Sequence, residues 1–114
     1  MADCVFCKMV AGEINPDVVY EDEEVLAFRD VNPQAPVHVL VVPRRHIATL
    51  NDVTEAEAPL IGRLYLAAKT VAEHEGIAER GYRTLINCNP EAGQSVFHLH
   101  LHVLGGRPMH WPPG

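Results

Sequence analysis

Apolar and polar residues alternate with a period of two in several short segments of the chain, which is typical of β-strands. The pattern predicts five strands, at residues 17–21, 24–29, 37–43, 82–88 and 96–104. The segment 37–43 is apolar at nearly every position, so we expect it to be buried on both faces at the centre of the sheet.

A three- and four-residue spacing of apolar residues predicts two helices, a short one at residues 4–11 and a long one within 54–75. The start of the long helix is open, since Thr54 with Glu57 forms a capping box and Pro59 is typical of a first helical turn. Proline and glycine predict an extended arm at residues 105–114. The pattern therefore indicates one α+β domain over residues 1–114.

Three histidines, His98, His100 and His102, occupy every second position of the last predicted strand. On a strand they share one face with a spacing of about 7 Å, while Leu99 and Leu101 take the opposite face. His38 is the one polar side chain of the central strand, and it joins this row if the two strands are neighbours. A cluster of this kind favours either a metal site or phosphoryl chemistry over simple packing.

Composition narrows the classes of function. The 114 residues suit a single domain, and a formal charge of −6 argues against a broad basic surface for nucleic acid or anionic lipid. We expect no membrane association, because no apolar run approaches the ~20 residues that span a bilayer. Three cysteines without a secretory signal predict a cytoplasmic protein with free or metal-bound thiols.

Cys4 and Cys7 lie one helical turn apart and form half of a tetrahedral zinc site. His46, in a cationic turn after the central strand, is available as a further ligand. The alternative is that the two cysteines are small apolar residues that pack under the sheet.

The loop at residues 89–95 leads directly to the histidine segment, and its glycine permits a tight backbone. The loop N–H groups that can converge on an anion are those of Gln94, Ser95 and Val96. Imidazole can attack phosphorus and then act as a leaving group, and His100 has Asn87 and Ser95 nearby to stabilise charge and pass a proton. No Walker loop is present, which disfavours a magnesium-dependent kinase.

The residues also resemble a known family. The segment 98–104 fits the His-φ-His-φ-His-φ-φ signature of the histidine triad (HIT) superfamily. Segments 33–38, 41–43, 93–97 and the ending 109–114 are similar to the branch of histidine triad nucleotide-binding (HINT) proteins. This resemblance implies a single HIT domain with a five-stranded antiparallel sheet, one short N-terminal helix and one long helix. It also implies a homodimer whose sheets join into one of ten strands.

The activity implied by the resemblance is hydrolysis of the P–N bond of purine nucleoside phosphoramidates, without a catalytic metal. His100 is then the nucleophile that forms a nucleotidyl-histidine intermediate, supported by His102 and His38, with Ser95 near the leaving group. The implied phosphate-binding residues are Asn87, Gly93, Gln94, Ser95, Val96 and His102.

The resemblance further assigns a nucleoside pocket. Asp30, which spacing alone indicates as a turn residue, becomes a ribose ligand. The implied purine-lining residues are Val5, Phe6, Met9, Phe28 and Val31. Trp111 is expected near the site of the partner protomer. A structural zinc, as in bacterial relatives that carry the CxxC pair, is implied at Cys4, Cys7, His46 and His98.

Other functions remain open at this point. One is a dinucleoside polyphosphate hydrolase or nucleotidyl transferase of the same superfamily, which the Trp111 ending and Ser95 disfavour. Another is a regulatory module that binds a nucleotide as a sensor, and a third is a zinc-binding protein without catalysis.

Overall fold

The period-two segments form one antiparallel sheet in the computed structural model, which describes residues 3–114. The strands are β1 (Val18–Glu21), β2 (Val25–Arg29), β3 (Val37–Pro43), β4 (Tyr82–Leu85) and β5 (Leu101–Gly105). The helices are α1 (Val5–Val10) and α2 (Ala58–His74). The sheet order β1-β2-β3-β5-β4 places β3 at the centre, and the predicted α+β fold with a five-stranded antiparallel sheet is confirmed.

The long helix α2 covers one face of the sheet. Its buried residues contact the inward side chains of the strands, including Val39, Val41, Leu101 and Val103. Both start signals in the sequence are used, because Thr54 caps a 3-10 turn at Glu55–Glu57 and Pro59 lies in the first turn of α2. Burial of this apolar face fixes which side of β3 and β5 is turned towards α1.

The short helix α1 lies against the opposite face. Phe6 is its buried residue, and it packs with side chains of β2 and β3 in a second apolar cluster. The cluster comprises Phe6, Leu26, Phe28, Leu40 and Val42. Within residues 3–114, none of the helices is both long enough and apolar enough to cross a membrane.

Two predicted strands extend beyond the observed ones by more than one residue. β5 begins at Leu101 rather than residue 96, and β4 ends at Leu85 rather than residue 88. The reason at β5 is that the Leu99 N–H donates to the carbonyl of Ile47 in the 44–49 loop at 2.6 Å, outside the sheet ladder. His98 and His100 therefore precede the regular strand, and only His102 lies within it.

Candidate active site and metal cluster

The pairing of β3 with β5 brings His38 beside His102. The register places Leu40 opposite His102 and His38 opposite Leu104. The two rings approach with His38 Nε2 2.9 Å from His102 Nδ1. The sequence analysis expected His38 to join the histidine row if the two strands are neighbours. The strands are neighbours, and this expectation is confirmed.

Fixed hydrogen bonds set the proton positions of these two rings. The Gln34 backbone N–H donates to His38 Nδ1 at 3.0 Å, so neutral His38 carries its proton on Nε2 and donates to His102 Nδ1. Neutral His102 then carries its proton on Nε2. That atom is buried and has no hydrogen-bond partner among the described residues. The hydrogen bonds that run from Gln34 through His38 to His102 thus end at the buried His102 Nε2–H, which a ligand oxygen could accept.

The neighbouring ring, His100, has the opposite tautomer. Its Nδ1 lies 2.8 Å from the carbonyl oxygen of His98, and a carbonyl only accepts, so Nδ1 carries the proton. The unprotonated atom is then Nε2, the form needed for nucleophilic attack. The His100 and His102 ring centroids are 4.9 Å apart, closer than the ~7 Å repeat predicted for a regular strand, and His100 precedes the regular part of β5.

Burial keeps the cluster neutral near pH 7. Desolvation lowers the pKa of His38 and His100, although the Asp30 carboxylate opposes this for both rings. The pKa of His102 falls to about 4, mainly through burial and then through the proximity of His100 and His38. A neutral His100 is the nucleophilic form, so burial favours the chemistry that the tautomer permits.

His100 and His102 lie in a cleft of ≈ 620 Å³ between α1 and the sheet. Of the residues predicted from sequence, ten line it: Val5, Phe6, Met9, Phe28, Asp30, Val31, Ser95, Val96, His100 and His102. The walls are mostly apolar, with Asp30 and the imidazoles as polar groups at one end, which suits a flat heteroaromatic ligand bearing a charged group.

Five other residues predicted for the catalytic and nucleotide sites do not line this cleft, and one of them is His38, which contacts His102. Asn87 and Gly93 are in the segment after β4, and Trp111 is exposed on the C-terminal arm. Gln94 is buried and committed to the protein. Its N–H donates to the Asn89 carbonyl at 3.2 Å, and its side chain donates to two loop carbonyls. The Gln94 N–H is therefore not free for an anion in this conformation, and the predicted cradle is reduced to its neighbours.

Sequence reasoning missed six lining residues, and two of them are charged. The missed set is Ile14, Asn15, Pro16, Asp17, Arg29 and Leu40. Arg29 pairs with Asp17 at 3.2 Å and with Glu75 through two hydrogen bonds, so its charge is neutralised at the cleft rim. The segment 14–17 has no periodic signal, and only the tertiary fold brings it to the cleft.

A second cluster lies at the N-terminal end of α1. The ligand atoms of Cys4, Cys7, His46 and His98 all lie within 4.8 Å of one another. Cys4 Sγ is 3.3 Å from His98 Nδ1, and His46 Nδ1 is 3.2 Å from both Cys7 Sγ and His98 Nδ1. Tetrahedral zinc with these ligand types requires separations of about 3.3–3.8 Å between ligand atoms. The observed distances fit that geometry.

The chemistry of the donor set also fits a cation. His98 Nε2 donates to the Pro43 carbonyl at 2.8 Å, which leaves its Nδ1 lone pair directed at the cysteines. Burial and the adjacent Cys4 sulfur raise the pKa of the Cys7 thiol. A divalent cation among these atoms would stabilise the thiolate form. His98 is thereby turned away from the cleft, whereas His100 and His102 face it.

Comparison with known proteins agrees with this arrangement. The family described as the HIT domain matches residues 11–109. The chain is 48% identical to the purine nucleoside phosphoramidase of Escherichia coli K12, covering 94% of this chain and 90% of the relative. It is also 48% identical to the 14 kDa zinc-binding protein of Brassica juncea, covering 98% and 100%.

A solved structure has the same fold. The HIT family hydrolase from Legionella pneumophila Philadelphia 1 superposes with a TM-score of 0.96 at 52% identity, covering 98% of this chain and all of that one. The family match spans the sheet, α2 and all three clustered histidines. This protein belongs to the HIT family.

Proposed function

We propose that this protein hydrolyses the P–N bond of purine nucleoside phosphoramidates through a nucleotidyl intermediate on His100. The observation that carries the proposal is the pair of tautomers in the cleft. His100 presents an unprotonated Nε2, and beside it His102 presents a buried, unpartnered N–H. The relative from E. coli that is named for this activity supports the same substrate class.

In the first step, His100 Nε2 attacks phosphorus, the N–P bond to His100 forms, and the bond to the amine breaks. The Nδ1–H bond to the His98 carbonyl stabilises the positive charge that develops on the ring. The His102 Nε2–H donates to a phosphoryl oxygen, where negative charge accumulates. Ser95, exposed at the cleft rim, relays a proton from water to the departing amine.

In the second step, water attacks phosphorus and His100 leaves, which regenerates the neutral imidazole. The nucleoside occupies the apolar part of the cleft, with the base between α1 and β2. Asp30 accepts hydrogen bonds from the ribose hydroxyls, and its second oxygen lies 3.4 Å from His38 Nε2. Asn87, Gly93 and Val96 remain proposed phosphate neighbours that a bound ligand must bring into reach.

We also propose that zinc occupies the Cys4, Cys7, His46 and His98 cluster as a structural ion. Its role is to fix α1 to the segment before β5, and none of the chemical steps passes through it. The ligand separations and the directed Nδ1 lone pair of His98 support this assignment. The name of the relative from Brassica juncea points the same way.

A homodimer completes the proposal. β4 lies at one edge of the sheet, and its Tyr82 is exposed. Pairing of two such edges would extend the sheet to ten strands. Trp111, which is 82% exposed, is then available to contact the partner's cleft.

The test is turnover of an adenosine phosphoramidate. His100→Ala is expected to lower kcat by at least about 1,000-fold, because the nucleophile is lost. His74→Ala is the matched control, since His74 is exposed in the last turn of α2 and lies outside the cleft. Wild-type activity in His100→Ala would refute the proposed nucleophile.

A parallel assay compares the phosphoramidate with a dinucleoside polyphosphate. The proposal predicts a higher kcat/KM for the phosphoramidate. Preference for the polyphosphate would move the protein to the related hydrolase activity within the same family.

A further inference from the structure

Gln34 connects the C-terminal arm to the histidine cluster. Its backbone N–H donates to His38 Nδ1 at 3.0 Å. Its carbonyl oxygen accepts from two atoms of Arg107, Nε at 3.2 Å and Nη2 at 3.0 Å. Gln34 is therefore bound to an arginine on one side and, on the other, to the histidine that contacts His102.

The end of β5 is built for this close approach. Gly106 has φ +90°, and a Cβ there would lie 2.9 Å from Pro36 Cβ. At Gly105 a Cβ would lie 2.6 Å from Ile77 Cδ1. At these two glycines the chain passes between Ile77, which follows α2, and the 33–36 turn, and this path brings Arg107 to the Gln34 carbonyl.

The contact with Arg107 restrains the backbone of Gln34. Two N–H groups of one planar guanidinium bind the same oxygen, so they fix the position of Gln34 as well as its distance. None of the ion pairs within residues 3–114 involves Arg107, and its third hydrogen bond goes to the Pro108 carbonyl at 3.0 Å. Its hydrogen bonds are therefore directed at backbone oxygens, of which the one on Gln34 leads to the cleft.

We propose that Arg107 is a positioning residue for catalysis and acts through Gln34 on His38. The Gln34 N–H, together with the Asp30 carboxylate 3.4 Å from His38 Nε2, keeps the proton of His38 on Nε2, which in turn leaves His102 Nε2–H available for the phosphoryl oxygen. Without the guanidinium, the turn is free to move and His38 can adopt its other tautomer. His102 would then lose its donor partner at Nδ1. The catalytic consequence rests on the proposed function.

The experiment measures the tautomer and the rate separately. Two-dimensional ¹⁵N NMR of the histidine rings reports the tautomer of His38 in the wild type, Arg107→Ala, Arg107→Lys and Arg83→Ala. Arg83 is the matched control, because it also fastens the arm, through a hydrogen bond to the His110 carbonyl at 3.0 Å, but it does not touch Gln34. Turnover of the adenosine phosphoramidate is measured on the same four proteins.

The expected result is a change in the His38 tautomer ratio in Arg107→Ala, with kcat about 10-fold lower and KM within about 2-fold of the wild type. Arg107→Lys retains one donor and is expected to be intermediate, and it remains informative if Arg107→Ala does not fold. Arg83→Ala is expected to keep the wild-type His38 tautomer.

Three results would overturn the proposal. One is a wild-type tautomer in both Arg107 variants, another is an equal change in Arg83→Ala, and the third is an altered tautomer with unchanged kcat. If wild-type protein does not turn over the phosphoramidate, the proposed function fails, while the NMR comparison still decides whether Arg107 positions His38.

Discussion

The burial of His102 predicts that protonation of this ring contributes to acid destabilisation of the fold. Its pKa is lowered to about 4 from an ordinary value of 6.5, and the groups facing it are His38, His100 and Asp30. Because the folded pKa is the lower one, the unfolded chain binds the proton first as the pH falls. The contribution of His102 to the free energy of unfolding is fully present above about pH 6.5 and is lost progressively down to about pH 4.

The size of the effect follows from the same values. A pKa lowered from 6.5 to about 4 corresponds to about 3 kcal/mol of unfolding free energy once both states are protonated, and to about 2 kcal/mol at about pH 5. His38 and His100, whose pKa values are also lowered, add to the loss in the same direction. The contribution of His102 must therefore be isolated by substitution.

The assay is urea unfolding of the wild type and His102→Asn at about pH 7.5 and about pH 5. Asparagine can still accept from His38 Nε2–H, but it does not titrate. The variant is expected to lose about 2 kcal/mol less than the wild type between the two pH values. Titrating groups that do not face His102, and any bound metal, contribute to both proteins and cancel in this difference. Equal losses in the two proteins would refute the inference that His102 is held neutral by burial.

Three further predictions concern metal, core and assembly. Elemental analysis is expected to find about one zinc per chain, lost in Cys7→Ser and retained in Cys88→Ser; equal metal content in both variants would contradict the assignment. Leu64→Ala, at a position with no exposed surface, should cost about 3 kcal/mol in urea unfolding, against less than about 0.5 kcal/mol for the 56% exposed Leu66. Equal losses of unfolding free energy at the two positions would contradict the burial of Leu64 between α2 and the sheet. Sedimentation should give twice the 12.6 kDa chain mass, and a monomer would exclude the dimer.

The parts of the fold that depend on local sequence pattern could be predicted from the sequence. The apolar segment 37–43 is the central strand β3, and the alternation of Leu99, Leu101 and Val103 with histidines correctly predicted that these three residues share the buried face. The same alternation extended the predicted strand too far. A period of two reports which way side chains point, but it does not report whether the backbone has a ladder partner, and Leu99 binds the carbonyl of Ile47 instead.

The candidate site was predicted where spacing alone brings residues together. His100 and His102 follow from a motif, and Cys4 and Cys7 from one helical turn. The contribution of Arg29 to the cleft rim depends on a contact with Glu75, 46 positions away in the chain. Interactions over such distances are set by the packing of α2 on the sheet, which no local pattern encodes.

The tautomers could not be predicted either, since they depend on backbone groups. The carbonyl of His98 fixes the proton of His100, and the N–H of Gln34 fixes that of His38. Neither group has a sequence signature. The catalytic assignment of each imidazole therefore became specific only with the structure.

The central claim is that Nε2 of His100 forms a covalent bond to phosphorus. Rapid acid-free quenching of the wild type during turnover of an adenosine phosphoramidate, followed by peptide mass spectrometry, tests it directly. The account predicts an added nucleotidyl group on the peptide that contains His100, mapped to that residue by fragmentation and absent from His100→Ala. Turnover with the nucleotidyl group on another residue, or undiminished turnover in His100→Ala, would contradict it.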